Sequence, residues 1–177
     1  MDLGVISVRY ARALYKSAVQ TQCDDKVYDD MVTLAQSYTE VPQLRRTVDN
    51  PMLSAESKKM VLAAACGKNP QELTLRFIDL MLSEGREPVA QLIAASYITL
   101  YRKQKNIIHG RLITAAAVSP ETEQKVRQMV ESRTQGTVEF LTEVNPDIIG
   151  GFILEYDTYR MDASVKKQLR SILKELS

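Results

Sequence analysis

A chain of 177 residues that is 45% hydrophobic and 25% charged, with 7 Gly and 6 Pro, has the composition of an ordinary globular protein, with one generous core or two small ones. Its 23 Lys and Arg balance 22 Asp and Glu, 14 against 12 in residues 1–105 and 9 against 10 in residues 106–177, so neither part has the clustered cations that hold a nucleic acid. No window approaches the ~18 uninterrupted apolar residues of a membrane span, so any connection to a membrane is expected through a partner.

From Asp2 to about Tyr101 apolar residues recur at helical spacing between short polar or Pro-bearing joints, the pattern of an all-α bundle. The first helix sets Ile6, Tyr10, Ala13, Leu14 and Ser17 on one stripe and Val5, Val8, Arg12, Tyr15 and Val19 on another. With two such stripes on one short helix, one faces the bundle and the other is buried elsewhere or left wet. The second helix opens at Asp24 or Asp25, where carboxylates suit the positive end of the dipole, and carries Val27, Met31, Leu34 and Tyr38. A short third helix spans 41–48 with Pro42 in its first turn, and Asn50-Pro51 ends it. The fourth starts at Ser54, carries Met60, Val61, Ala64 and Ala65, and stops at Gly67. The fifth follows Pro70 with Leu73, Phe77, Leu80 and Met81 on one stripe and ends at Gly85. A sixth runs from Val89 to about Lys103, with Leu92, Ile93, Ser96, Tyr97 and Leu100 in register.

The stretch Tyr101 to Asn106 reads as a junction, because the period changes after it. Residues 107–118 read as a strand entering a Ser119-Pro120 turn, followed by a helix to about Arg133 with Val126, Met129 and Val130 apolar. Residues 138–144 alternate Val138 and Phe140 with Glu139 and Glu143, the pattern of a half-exposed strand. Asn145-Pro146-Asp147 turns the chain into a further strand over 149–156, and Asp162 or Ser164 caps a last helix with Val165, Leu169, Ile172, Leu173 and Leu176 on one stripe. That stripe is expected to be mostly core against the small sheet, with part of it exposed. The fold class expected is mainly α: a six-helix N-terminal bundle over 1–105, then a small α/β domain over 106–177 ending in an amphipathic helix.

Little in the chain advertises chemistry. Cys23 and Cys66 have no Cys-x-x-Cys spacing and read as small buried hydrophobes, and His109 is the only histidine, which removes most zinc and triad constellations. Gly67-Lys68 is no phosphate loop, since Leu62 stands where the first glycine belongs and Asn69 where Ser or Thr belongs. Asp24-Asp25 and Asp29-Asp30 read as a solvated charged face. Gly150-Gly151 lies in a β-like run with no helix after it, which points to a bulge, a bend or a close backbone approach. No catalytic, cofactor-binding or metal-binding residue is assigned, because no nucleophile, base and oxyanion donor come together. Arg9, Arg12 and Lys16 give the first twenty residues the look of a transit helix, but their apolar pattern is that of a packed helix, and a bacterial protein is expected.

Three segments in this order resemble one family: Arg9-Tyr10-Ala11-Arg12-Ala13-Leu14 near the start, Phe77-Ile78-Asp79-Leu80-Met81-Leu82-Ser83-Glu84-Gly85-Arg86 in the middle, and Asn145-Pro146-Asp147-Ile148-Ile149-Gly150-Gly151-Phe152 with Asp162-Ala163-Ser164 near the end. The chain is similar throughout to the δ subunits of bacterial F-type ATP synthase, whose mitochondrial counterpart is the oligomycin-sensitivity-conferring protein. It departs from the family at Asn145, where Asp is more usual, and at Ala163, where Gly is frequent. The resemblance implies a non-catalytic stator component without cofactor, at the cytoplasmic face of the membrane, joining the catalytic head to the peripheral stalk. It implies that the N-terminal helix of an α subunit lies between the first and fifth helices, where Tyr10, Ala13, Leu14, Phe77 and Leu80 are the candidate contacts, Leu14 and Phe77 reading equally as bundle core. It also implies that the C-terminal part meets the end of the b subunit, for which Val165, Leu169, Ile172 and Leu173 are the candidates. The rival reading is a free-standing adaptor that uses the same helices to bind a partner helix outside a rotary motor.

Overall fold

The computed structural model describes residues 3–134, 137–156 and 159–175. The protein is mainly helical with one small four-stranded sheet, and it divides into two compact units, residues 1–101 and 102–177. The expected helix start at Asp2 and the stripe residue Leu176 lie outside the described residues.

Unit one holds α1 (Leu3–Gln20), α2 (Asp24–Glu40), α3 (Pro42–Val48), α4 (Ala55–Ala65), α5 (Glu72–Ser83) and most of α6 (Ala90–Lys105). α2 packs on α1, α3, α4 and α5, and its stripe Val27, Met31, Leu34 and Tyr38 is fully in the core. α4 starts where Ser54 Oγ accepts the Ser57 N–H at 3.2 Å, but its buried face is Lys58, Leu62 and Ala65, and Met60 is 64% exposed. Of the stripe expected there only Ala65 is buried; Met60 and Ala64 are exposed and Val61 is half-buried. Lys58 is tolerated inside because its Nζ lies 2.8 Å from Glu87 Oε1, in the 3-10 turn Glu87–Val89 before α6. In α6 the core residues are Ala90, Ile93, Ala94, Tyr97 and Tyr101, with Tyr101 stacked on Tyr28 at 4.1 Å between ring centres, while Leu92 is exposed. Both cysteines are buried and free.

Unit two contains β1 (Ile107–Thr114), α7 (Pro120–Thr134), β2 (Thr137–Val144), β3 (Phe152–Tyr156), β4 (Tyr159–Asp162) and α8 (Val165–Glu175). The sheet order is β2-β1-β3-β4, with β1 parallel to β2 and antiparallel to β3. The parallel pair needs a crossover, which α7 supplies, laying Val126 and Val130 on Leu112, Val138 and Leu154. Gly110 makes room on that face: a Cβ there would stand 2.9 Å from the Glu155 carbonyl oxygen and 3.0 Å from the Phe140 ring. A smaller cluster of Ile113, Ile148 and Ile153 forms elsewhere in the unit.

Two local features differ from the expected strands. Residues 149–151 are not β: Pro146–Ile148 forms a 3-10 turn and Ile149 takes φ 69° before β3 begins at Phe152. A fourth strand, β4, was not anticipated; it is four residues long and pairs antiparallel with β3. Gly151 carries the close approach that its doublet suggested, with φ 72° and an added Cβ only 2.2 Å from the Ala163 carbonyl oxygen. Among the described residues, no helix is long and apolar enough to cross a membrane.

Candidate functional site

An apolar concavity of unit one lies between α1 and α5, where each helix is seated by one row and leaves further apolar residues beside it. α1 is buried through Ile6, Ser7, Ala11, Leu14 and Ala18. The small side chains of Ser7, Ala11 and Ala18 let its backbone come close to its neighbours. Ser7 donates to the Gly4 carbonyl at 2.9 Å and accepts from Ser96 Oγ at 3.2 Å. Seating α1 on this row turns Tyr10, Ala13 and Ser17 to the adjacent face.

α5 is fixed at its start by Asp30 of α2, whose Oδ2 accepts from the Gln71 N–H at 2.8 Å and from Thr74 Oγ1 at 2.5 Å. One carboxylate thus satisfies the N–H of Gln71, the capping residue itself, as an N3 side chain does in a capping box, while Gln71 makes no side-chain cap bond. Asp30 is therefore buried rather than part of a solvated face. Burial pushes its carboxyl above the usual range, against the hydrogen bonds from Thr74 and Gln71, which lower it. The buried row of α5 is Thr74, Phe77, Ile78 and Met81, which leaves Leu73 and Leu80 beside the groove.

The resulting groove has a volume of about 360 Å³. All five residues proposed from sequence for the first partner line it: Tyr10, Ala13 and Leu14 from α1, Phe77 and Leu80 from α5. Leu14 and Phe77 are buried and form its floor while also packing into the core, so for them core and groove are one role. Tyr10 and Phe77 meet edge to face at 6.3 Å between ring centres. Ala13 is open to solvent and Leu80 is 50% exposed. Arg9, Arg76 and Glu84 stand at the rim and were not anticipated. Their signal was in the sequence, since Arg9 precedes Ala13 by four residues and Arg76 and Glu84 flank Leu80 by four.

The second set of candidates lies on α8. Ser164 caps the helix, its Oγ accepting from the Lys167 N–H at 3.2 Å, and is held by Asp162 Oδ1, which accepts from its hydroxyl at 2.6 Å and its N–H at 3.0 Å. Those bonds hold the Asp162 carboxyl below its ordinary value. Val165 is half-buried, and its N–H donates to the Gly150 carbonyl at 3.0 Å. Beyond it Leu169, Ile172 and Leu173 are 47%, 53% and 65% exposed, so the stripe is mostly open rather than mostly core. The reason is that α8 packs on the 3-10 turn Pro146–Ile148, while α7 covers the larger apolar face of the sheet.

Among the described residues no group of three or more His, Cys, Asp or Glu side chains gathers as a metal site would require. The shapes on offer are an apolar groove and an apolar helix face, which suit macromolecular contact rather than bond-making.

Comparison with known proteins agrees on one family. A family model described as ATP synthase delta (OSCP) subunit matches residues 6–176. The chain is 45% identical over 173 residues to the ATP synthase subunit delta of Phocaeicola vulgatus, covering 97% of this chain and 94% of that protein. It is 43% identical over 172 residues to the ATP synthase subunit delta of Parabacteroides distasonis, covering 97% and 96%. Its fold matches a chain in the cryo-EM structure of the Toxoplasma gondii mitochondrial ATP synthase hexamer with a TM-score of 0.68 at 22% identity, covering 96% of each chain. With a family model matched over residues 6–176 and relatives matched over 97% of its length, the chain belongs to the ATP synthase delta (OSCP) subunit family of the F-type ATP synthase.

Proposed function

We propose that this chain is a non-catalytic stator component, a bridge that holds the catalytic head of the ATP synthase to its peripheral stalk against the torque of the rotor. Residues 1–105 act as the head-binding helical bundle and residues 106–177 as the stalk-binding domain. The observation that carries the reading is the α1–α5 groove: Tyr10, Ala13, Leu14, Phe77 and Leu80 offer apolar anchors on two neighbouring helices, with an alanine where an incoming backbone needs space. Its occupant is the N-terminal helix of an α subunit. The C-terminal end of the b subunit meets α8 through Val165, Leu169, Ile172 and Leu173. Membrane association follows from membership of the complex at the cytoplasmic face.

The test is a pull-down in which the head and the soluble part of the stalk are supplied separately. The chain is expected to retain each alone and to bring both down together. A chain that ignores the head, while still binding an unrelated amphipathic helix, supports the rival reading of a free-standing adaptor.

A further inference from the structure

α8 carries its cations on one side only. Leu169, Ile172 and Leu173 form the exposed apolar stripe. On one side of it Lys166, Arg170 and Lys174 succeed each other at i,i+4 spacing, and Lys167 continues the ridge round the helix. The other side holds Gln168, Ser171 and, in the last turn, Glu175, and no cation. Lys166, Lys167 and Arg170 border a cavity of about 300 Å³ that they share with Arg160 and the carboxylates of Asp147 and Asp162; Asp162 is engaged by Ser164, and the nearby Lys167 and Arg160 also favour its charged form. Among the described residues none of the four α8 cations is in an ion pair with a carboxylate. Like charges one turn apart on an exposed helix repel, so the ridge weakens α8 in the isolated chain.

We infer that α8 receives a partner helix whose apolar stripe is bordered on one side by carboxylates, and that the ridge Lys166, Arg170 and Lys174 fixes the direction in which that helix lies. The inference rests on the proposal that Leu169, Ile172 and Leu173 meet the stalk. A helix with acids along one flank sets them against the ridge in one direction and against Gln168 and Ser171 in the other, so the charge selects a single alignment. Other occupants fit less well. A second copy laid antiparallel on α8 sets ridge against ridge, and a parallel copy offers each ridge a single carboxylate, Glu175, at its last turn. A helix lying in an anionic bilayer surface carries cations on both sides of its apolar face, and α8 has them on one.

The test uses the full chain and, as probe, the soluble part of the cognate b subunit, with affinity measured at low and high NaCl and the fold of each variant checked by circular dichroism. Affinity of the unmodified chain is expected to fall about tenfold or more from 50 to 300 mM NaCl. The pair Arg170→Glu with Lys174→Glu is expected to lose about tenfold or more at the lower salt and little at the higher. The pair Gln168→Glu with Ser171→Glu adds carboxylates on the other side and is expected to change binding by less than about threefold. The pair Leu169→Ser with Ile172→Ser is expected to lose binding at both salts.

If the serine pair loses binding while the two glutamate pairs behave alike, the inference is overturned and stalk docking on α8 stands. If the serine pair also binds normally, docking on α8 fails and the inference fails with it. Self-association through α8, or capture by vesicles containing about 30% phosphatidylglycerol with no binding of the stalk probe, overturns it in favour of those occupants.

Discussion

Replacing Ala13 by Asp separates the proposed head contact from the stability of the chain. Ala13 faces solvent in the groove wall, so a carboxylate there stays hydrated in the free protein and changes unfolding free energy by no more than ~0.5 kcal/mol. A seated partner helix strips that water away over the apolar floor of Leu14 and Phe77, where an unpaired charge costs about 3–5 kcal/mol. Arg9, one turn earlier on the same rim, brings a guanidinium within reach and recovers about 1 kcal/mol. The net loss of about 2–4 kcal/mol corresponds to a roughly 30- to 1,000-fold rise in Kd. The assay is fluorescence anisotropy with a labelled peptide copying the N-terminal residues of the α subunit, alongside urea unfolding of the same protein. An affinity within threefold of the unmodified chain, with native circular dichroism, refutes the groove as the docking site.

The remaining tests address the frame around that site. Asp30→Ala leaves the Gln71 N–H and Thr74 hydroxyl without their acceptor and is expected to destabilise unit one by about 2–4 kcal/mol in urea unfolding, whereas Asp30→Asn keeps an acceptor and loses less. The Asp30 carboxyl is raised above its ordinary 3.8, so the folded chain holds that proton more tightly than the unfolded one; its contribution is largest below 3.8 and declines as pH climbs to the raised value. The stability of the unmodified chain relative to Asp30→Asn is therefore expected to fall over that window, and a rise refutes the assignment. Gly151→Ala puts a methyl group 2.2 Å from the Ala163 carbonyl oxygen at a φ of 72°, and is expected to cost at least ~2 kcal/mol and to broaden or lower the thermal transition of unit two. A chain ending after Lys105 is expected to fold, with cooperative helical melting, and to bind the head but not the stalk; an unfolded product refutes the division.

The helical half was legible where large apolar residues and the core coincide, and illegible where they do not. In α2 the expected stripe Val27, Met31, Leu34 and Tyr38 is buried, so periodicity located it, although Tyr28 beside it is buried as well. In α1 the buried row is built largely from Ser7, Ala11 and Ala18, whose apolar weight is small, and the larger side chains stand beside it. The groove was placed by the family resemblance, and of its five residues Leu14 and Phe77 belong to the buried rows while Tyr10, Ala13 and Leu80 stand beside them. Asp30 and Lys58 were not readable as buried groups, because what makes them tolerable lies far along the chain, at Gln71 and Thr74 for one and at Glu87 for the other. β4 carries only four residues, Tyr159–Asp162, too few for a period to register, and is defined by its pairing with β3. The exposure of α8 escaped the sequence for a related reason, since a stripe shows that a face is apolar and not whether anything in the chain covers it.

The strand order gives the second unit two mechanically unequal ends. α6 leads through Asn106 straight into β1, an inner strand bonded along both sides, so a pull arriving from that direction loads two ladders in shear and many bonds must yield at once. α8 instead follows β4, a four-residue strand bonded on one side, where a pull can unzip the seam with β3 bond by bond. For the stator role proposed above, that seam is the expected first point of yielding under a pull through α8.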